Sequence, residues 1–395
     1  TTHRNFYVYT DDIHGEWSDP ITIDQDGIDP SLYFEDGRAF FISNGTDCEG
    51  KGGVVQCEIN IETGEKLTES RCIWQGSGGR YLESPHMYKI GKYYYLMAAE
   101  GGTEYGHMIT YARSESVWGK FEGYPHNPVL TNRNKAPFII QGIGHGDLIQ
   151  DKNGEWHIIC LGFRQIHMWM TYHHLGRECF LIPVTFHKDG WFTAGNGTCE
   201  ESYELSGDFA QLPLKTYTLE NIGHDICHLR HPNTENYSIT KDKITLKGTD
   251  VTLDDVASPT FAGVRQRDFD MDCSVSVSVS DGEGGLTVYS CETEHYDLAL
   301  RKNEGGYEAI LRLNIGGIRH IEKAVQIPSG DAKLIIRSDS QVYKFFVQSQ
   351  GEEIPMGFAM SKYLSSEVCG GFTGTVIGMY AVKGSAEFTD LRISY

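Results

Sequence analysis

The chain is short of positive charge for its size. Of its 395 residues, 34 are Lys or Arg and 54 are Asp or Glu, a net charge of −20. Phosphate backbones and anionic membrane surfaces are recognised by basic faces, so this balance excludes nucleic acid and membranes as expected partners. Long hydrophobic runs are missing too. No stretch of about 18 apolar residues occurs, so no membrane-spanning helix is expected. The first residues, Thr1 to Phe6, lack the layout of a signal peptide. The ten cysteines include no Cys-x-x-Cys pair. Scattered single cysteines in a chain this long read as free thiols, which favours a reducing, cytoplasmic setting. Helical periodicity is almost absent, which excludes a helix bundle.

What is present points to strands and turns. The sequence holds 22 Tyr, 18 Phe and 45 Gly, the residues of pleated surfaces and tight turns. With 39% hydrophobic and 22% charged residues, it carries enough apolar surface to bury a core. A turn with Gly followed by a bulky strand recurs at Asp36-Gly37, Gly91-Lys92, Asn153-Gly154 and Asp189-Gly190. A second pattern, a Tyr-containing strand leading to a Trp turn, recurs at Trp17 and Trp118, two units of roughly 50 residues apart. Repeats of that length with about four strands each are propeller blades; a β-sandwich or an irregular all-β domain is the alternative. Near residues 212–236 the texture changes. Beyond it Cys273 to Ser280 alternates strictly with period two, the mark of a sheet with one wet and one buried face. The expected organisation is therefore all-β: a propeller over 1–211 and an antiparallel sandwich over 212–395.

Several residues could carry chemistry. Asp29, in Gly27-Ile28-Asp29-Pro30-Ser31, and Glu83, in Tyr81-Leu82-Glu83-Ser84-Pro85-His86, each stand just before a strand. If the innermost strands of successive blades converge on an axis, these two carboxylates face one pocket. A pair of carboxylates is the minimum equipment for cleaving a glycosidic bond. The bland alternative is that each acid caps a turn. His145, in Gly144-His145-Gly146-Asp147, could bind sugar hydroxyls, tune a carboxylate or hold a divalent ion, or it could be a satisfied structural histidine. Arg177, after His173-His174-Leu175-Gly176, could fork onto hydroxyls or a carboxylate, or pair locally with Glu178. The loop Glu100-Gly101-Gly102-Thr103 lacks the strand–helix context and Lys of a phosphate site. Asn44, Asn196 and Asn236 each begin an Asn-x-Ser/Thr triplet, a motif short enough to arise by chance.

Taken in order, the segments around Asp29, Glu83, Ala99-Glu100-Gly101-Gly102-Thr103, His145 and Leu175-Gly176-Arg177-Glu178 resemble glycoside hydrolase family 43, its β-xylosidase/α-L-arabinofuranosidase branch. The later segment Gly371-Phe372-Thr373-Gly374 to Tyr380 resembles that branch's C-terminal concanavalin-like β-sandwich. The resemblance implies a five-bladed β-propeller with the site on its axis, and hydrolysis of xylo-oligosaccharides or arabinose-substituted xylan with inversion. It implies Glu83 as general acid and Asp29 as the residue that orients it and modulates its pKa. It implies Arg177 and His145 as substrate-binding residues, with Phe372 as an aromatic at the pocket rim. It requires no cofactor, and it allows a Ca2+ or other divalent cation beside His145 or in the sandwich.

One departure stands out. In the family pattern the general base is an Asp in an Asn/Pro-Asp-Pro motif on the first blade, well before the match to Asp29. No Asp-Pro in residues 1–210 fills that place, since Asp19-Pro20 falls on the Trp17 turn. The expectation is an incomplete first blade followed by four blades centred near Asp29, Glu83, His145 and Arg177, with the base outside this chain. An incomplete blade leaves open strand edges, which a second copy or another segment would have to complete. Without a base, a sugar pocket lacking turnover, a crippled carbohydrate-binding protein, becomes the alternative function.

Overall fold

Short aromatic and β-branched runs punctuated by Gly and Asp cannot make long helices, and the computed structural model of the protein is built almost wholly of antiparallel strands. It describes residues 4–166, 170–204 and 214–395. These fall into two compact units, the first drawn from 1–164 and 178–208, the second from 165–177 and 209–395.

The first unit holds three four-stranded meanders and a two-stranded ribbon, Asn5–Tyr7 with Ile21–Ile23. The first meander runs from Ser31–Glu35 through Arg38–Thr46 and Gly52–Ile59 to Arg71–Trp74. The second runs from Glu83–Ile90 through Tyr93–Glu100 and Met108–Ser114 to Glu122–Gly123. The third runs from Ile140–Gln150 through Trp156–Arg164 and Glu178–Phe186 to Phe192–Ala194. Each is one propeller blade. The recurring Gly turns are the hairpins: Asp36 and Gly37 both take positive φ, 51° and 74°, as a two-residue type I′ turn demands. Between the first two blades lie Phe40, Ile42, Val54, Trp74, Leu96 and Ala112. Between the second and third lie Met97, Ile109, Tyr111, Leu148, Ile158 and Phe192. Burying one such large side chain contributes roughly 1.5–3 kcal/mol.

The blade expected to centre near Arg177 does not form among the described residues. The strand Glu178–Phe186 is the third strand of the His145 blade. It pairs in unbroken register with Trp156 to Gly162, and the turn Asp189-Gly190 then carries the chain to that blade's last strand.

The second unit stacks two antiparallel sheets. One holds six strands, including Thr260–Arg265, Glu283–Cys291, Glu294–Asn303, Gly306–Ile315 and Val376–Val382. The other is built around Met271–Val279, Asp331–Ser338, Val342–Ser349 and Gly384–Ser394. The strict alternation of the sequence is expressed here: Cys273, Val275, Val277 and Val279 all point into the shared core with Leu286, Leu298, Leu334 and Phe388. Behind that core, the six-stranded sheet carries a buried polar network. Asp297 accepts from His295 at 2.9 Å and from its cross-strand partner Arg312 at 3.0 Å, and Arg312 also reaches Glu283.

The expected boundary between 211 and 212 lies outside the described residues. The segment 165–177, placed by sequence in the first domain, belongs to the second unit instead. Its backbone is spent there: the His173 carbonyl accepts from the Ser366 amide at 3.0 Å, the His174 carbonyl from Thr375 at 2.8 Å, and the Arg177 amide donates to Phe372 at 3.2 Å. The His173 ring lies 2.8 Å from the Glu367 carboxylate.

Candidate active site

Asp29, Glu83 and His145 each stand at the first strand of a blade of the first unit, and hydrogen bonds tie those three strands side by side. The Ser31 hydroxyl donates to the Pro85 carbonyl at 2.6 Å, and the Tyr88 hydroxyl donates to Asp147 Oδ1 at 3.0 Å. The backbone is irregular at all three. Asp29 has φ 49°, Ser84 φ 54° and His145 φ 48°, left-handed values that non-glycine residues avoid. The pairing of Glu83–Ile90 with its neighbour slips between Glu83 and His86. That of Ile140–Gln150 slips on both sides of Gly144. Such bulges re-aim side chains away from the regular pleat.

The charge of Asp29 reaches Glu83. Glu83 is half-buried, and its pKa is raised above the ordinary value, first by burial and then by the negative charge of Asp29. Asn44 holds the turns that carry both. Its amide N–H donates to the Ile28 carbonyl at 3.2 Å, and its side-chain Nδ2 donates to the carbonyl of buried Leu82, the residue before Glu83. Gly27 is required by the same contact, since a Cβ there would lie 1.4 Å from the Asn44 carbonyl oxygen. The sequence offered Asn44 only as the start of an Asn-x-Thr triplet; its proper signal was its place on the strand after the Asp29 turn.

Beside this pair, Asp147 collects two histidines. His86 Nδ1 lies 3.0 Å from Asp147 Oδ1, and His145 is close enough for its charge to be felt. The carboxyl's pKa is lowered, chiefly by the hydrogen bond from His86, against the opposing effect of burial. His86 was visible in the Glu-Ser-Pro-His motif but carried no role there. The glycines flanking His145 serve packing between blades: a Cβ on Gly144 would come within 2.3 Å of the buried His107 ring, and one on Gly146 within 2.6 Å of Ile109. A hard cation takes six or more oxygen ligands. Among the described residues, the carboxylate whose charge His145 feels is that of Asp147, already bonded to His86 and Tyr88.

Glu100, from the Gly-rich loop motif, is fully buried and structural. It accepts from the Ser77 amide at 2.7 Å, the Gly79 amide at 2.5 Å and the Thr110 hydroxyl at 2.8 Å. The loop it fixes lines a cavity of about 1000 Å³ with Arg80, Tyr105, Arg133 and Asn134; neither Glu83 nor Asp29 lines it.

Arg177 and Phe372 come together in the second unit. The guanidinium lies 4.5 Å from the centre of the Phe372 ring, which is half exposed. Glu178, next in the chain, takes Arg164 at 2.9 Å in a forked contact. Gly176 has φ 74° and packs so tightly on the Thr373–Gly374 backbone that a Cβ would lie 2.6 Å from it.

Residues 1–192 match the model of glycosyl hydrolases family 43, and residues 215–392 match the β-xylosidase C-terminal concanavalin A-like domain. A non-reducing end α-L-arabinofuranosidase of Bacteroides ovatus is 36% identical over 389 residues, covering 95% of this chain and 72% of that protein. The chain belongs to glycosyl hydrolase family 43. A xylosidase/arabinosidase of Butyrivibrio fibrisolvens is 28% identical over 95% of this chain and 78% of its own length. Among solved structures, the Bacteroides ovatus xyloglucan PUL GH43B superposes with a TM-score of 0.90 at 35% identity, covering 98% of this chain and 80% of that one. The xylan β-1,4-xylosidase of Bacillus halodurans gives 0.89 at 26% identity, covering 99% and 81%. This family 43 chain is thus a glycoside hydrolase with the family's architecture, a five-bladed β-propeller followed by a concanavalin-like sandwich.

Proposed function

We propose that this family 43 chain removes terminal xylose or arabinofuranose from xylo-oligosaccharides or arabinose-substituted xylan, with inversion at the anomeric carbon. Glu83 is the general acid and Asp29 the carboxylate that raises its pKa. The observation that carries this is the raised Glu83 pKa, caused by burial and by Asp29. An acid must hold its proton until the leaving oxygen takes it, and a like charge nearby is the means. The substrate class rests on the relatives, an arabinofuranosidase and a xylosidase/arabinosidase. His145 binds sugar hydroxyls from the first unit. Arg177 and Phe372 offer a forked donor and an apolar ring face, the chemistry of a sugar's two sides.

Inversion also needs a base that deprotonates water on the face opposite the acid. Two further acids of the first unit are committed elsewhere: Asp147 to His86 and Tyr88, Glu100 to two loop amides. We assign the base to neither of them. In the full reaction Glu83 gives its proton to the glycosidic oxygen as the carbon–oxygen bond breaks, and water attacks from the opposite face, losing its proton to the base.

The test measures 4-nitrophenol release from the β-xyloside and the α-L-arabinofuranoside, with and without azide. Azide needs no base. It should attack the anomeric carbon directly, expel nitrophenolate and yield a glycosyl azide of inverted configuration. Azide-dependent turnover is expected; equal turnover without azide would mean the chain already contains a base. In either setting Glu83→Gln should slow substrates with poor leaving groups by about 10²–10⁴-fold and nitrophenyl glycosides far less. Equal slowing of both would remove Glu83 from the acid's role. Calorimetric binding of xylose with no turnover in azide would favour a carbohydrate-binding protein.

A further inference from the structure

The sandwich carries a cluster of thiols and a carboxylate that the glycosidase chemistry does not use. The hairpin from Glu283–Cys291 to Glu294–Asn303 turns through Glu292 and Thr293, and its register sets Cys291 opposite Glu294. Opposed residues project to one face of a sheet. The short helix Ser366–Cys369 delivers Cys369 to that face. The two Sγ atoms and a Glu294 carboxylate oxygen all lie within 4.8 Å of one another, and Cys291 Sγ is 2.7 Å from Glu294 Oε2.

Glu294 is 5% exposed. Its hydrogen-bond partners among the described residues are the Cys291 thiol, the Thr293 hydroxyl and the Gly316 amide, none of them a cation. A carboxylate buried between two thiols lacks the compensation that buried charge ordinarily requires. A soft divalent ion supplies it. Zinc takes sulfur at about 2.3 Å and carboxylate oxygen at about 2.0–2.2 Å in a tetrahedron, which sets its ligand atoms roughly 3.5–4 Å apart. The observed spread needs only small rotations to meet that.

We propose that Cys291, Glu294 and Cys369 bind one zinc-class divalent cation, with water in the fourth position. The Cys369 S–H is directed at Cys291, so the two sulfurs already face one another across the site. The ion ties the 291–294 hairpin to the helix that leads through Gly370-Gly371 to Phe372, and it is a structural clamp independent of the glycosidase reading. No short Cys spacing signals it, because the fold alone joins the two cysteines.

The test uses the full chain, reduced and stripped with a chelator, then titrated with Co2+. One equivalent should bind with the sulfur-to-cobalt charge-transfer band of thiolate ligation and tetrahedral visible bands, and zinc should displace it. Cys291→Ser and Cys369→Ser should each lose the charge-transfer intensity their thiolate supplies. Glu294→Gln, which keeps both thiols and nearly the same shape, should bind at least about tenfold more weakly. Circular dichroism checks that each variant is folded. No band, or a band unchanged in both serine variants, overturns the site. Parent-like affinity in Glu294→Gln overturns the carboxylate's part in it, and that variant decides the matter should the serine variants not fold.

Discussion

His295 should make the sandwich lose stability as the solution turns alkaline. Its ring is 1% exposed and lies between Asp297 at 2.9 Å and Asp254 at 3.2 Å. Burial alone would push the imidazole down. The charge of Asp297 and the hydrogen bonds to both carboxylates outweigh it and raise the pKa from 6.5 to about 9. The folded state therefore holds this proton more tightly than the unfolded chain does. The stabilisation is complete below pH 6.5 and disappears as pH rises through about 9. At 1.36 kcal/mol for each decade of proton affinity, that gap is worth about 3 kcal/mol. Hydrogen exchange of the Glu294–Asn303 amides, corrected for intrinsic rates, reads the loss directly. Protection should fall about 10²–10³-fold between pH 6.5 and 9 on account of this ring. Cys291, whose lowered thiol moves stability the other way over the same range, is removed by comparison with His295→Gln. The difference between parent and variant should shrink steadily with pH. On the acid side Asp297, which burial would raise but the His295 charge and hydrogen bond lower to about 2, should hold the unit steady until pH falls below 3.8 towards that value. A parent–variant difference that is constant from pH 6.5 to 9 would refute the assignment of the proton to His295.

Four further outcomes are expected. Glu83 has a raised folded pKa, so its contribution is present below the unfolded value and lost as pH rises through the folded one; Glu83→Gln should therefore melt higher than the parent at pH 7 and no higher below pH 4. A lower melting temperature at pH 7 would contradict the burial and the Asp29 charge together. Asn44→Ala strands the buried Leu82 carbonyl and should cost about 1–3 kcal/mol in thermal or urea unfolding of the first unit, with glycosidase activity falling up to about 10²-fold through displacement of Glu83. Parent-like stability would show that Asn44 holds nothing. Gly144→Ala drives a methyl into the His107 ring and should cost about 1–3 kcal/mol. Gly37→Ala, at φ 74° with open space around it, meets no clash but carries the left-handed backbone strain, about 1–2 kcal/mol by the same melting assay.

The architecture was legible because its signals are local. Asp36-Gly37 and Asp189-Gly190 are hairpins by their chemistry, and the alternation from Cys273 to Val279 names its buried face. Counting blades failed where locality failed. A strand following Arg177 looks the same in sequence whether it opens a new blade or closes an old one. Only pairing with Trp156 to Gly162, set by a connection through 165–177, decides it. The packing of that connection was hidden for the same reason: its hydrogen-bond partners, Ser366, Phe372 and Thr375, lie about 200 positions on. The Cys291–Cys369 contact, Asn44 beneath Leu82, and the capture of Glu178 by Arg164 are likewise products of topology.

The acid pair was legible for a different reason, and the structure explains it. Asp29, Ser84 and His145 each occupy left-handed backbone, and the strands at Glu83 and His145 are bulged. Regular strands would point these side chains into the interblade core or out to solvent. A bulge costs pairing energy and is kept only where the neighbours fix it. The neighbours leave traces in sequence: Gly27 because the Asn44 carbonyl fills the space of a Cβ, and Gly144 because the His107 ring does. The small residues around each acid are thus the imprint of contacts that hold a strained turn. Residues whose roles need no strain, such as His86 on its regular stretch of strand or Asn44 in the middle of its own, leave no imprint, and those are the ones that only the coordinates reveal.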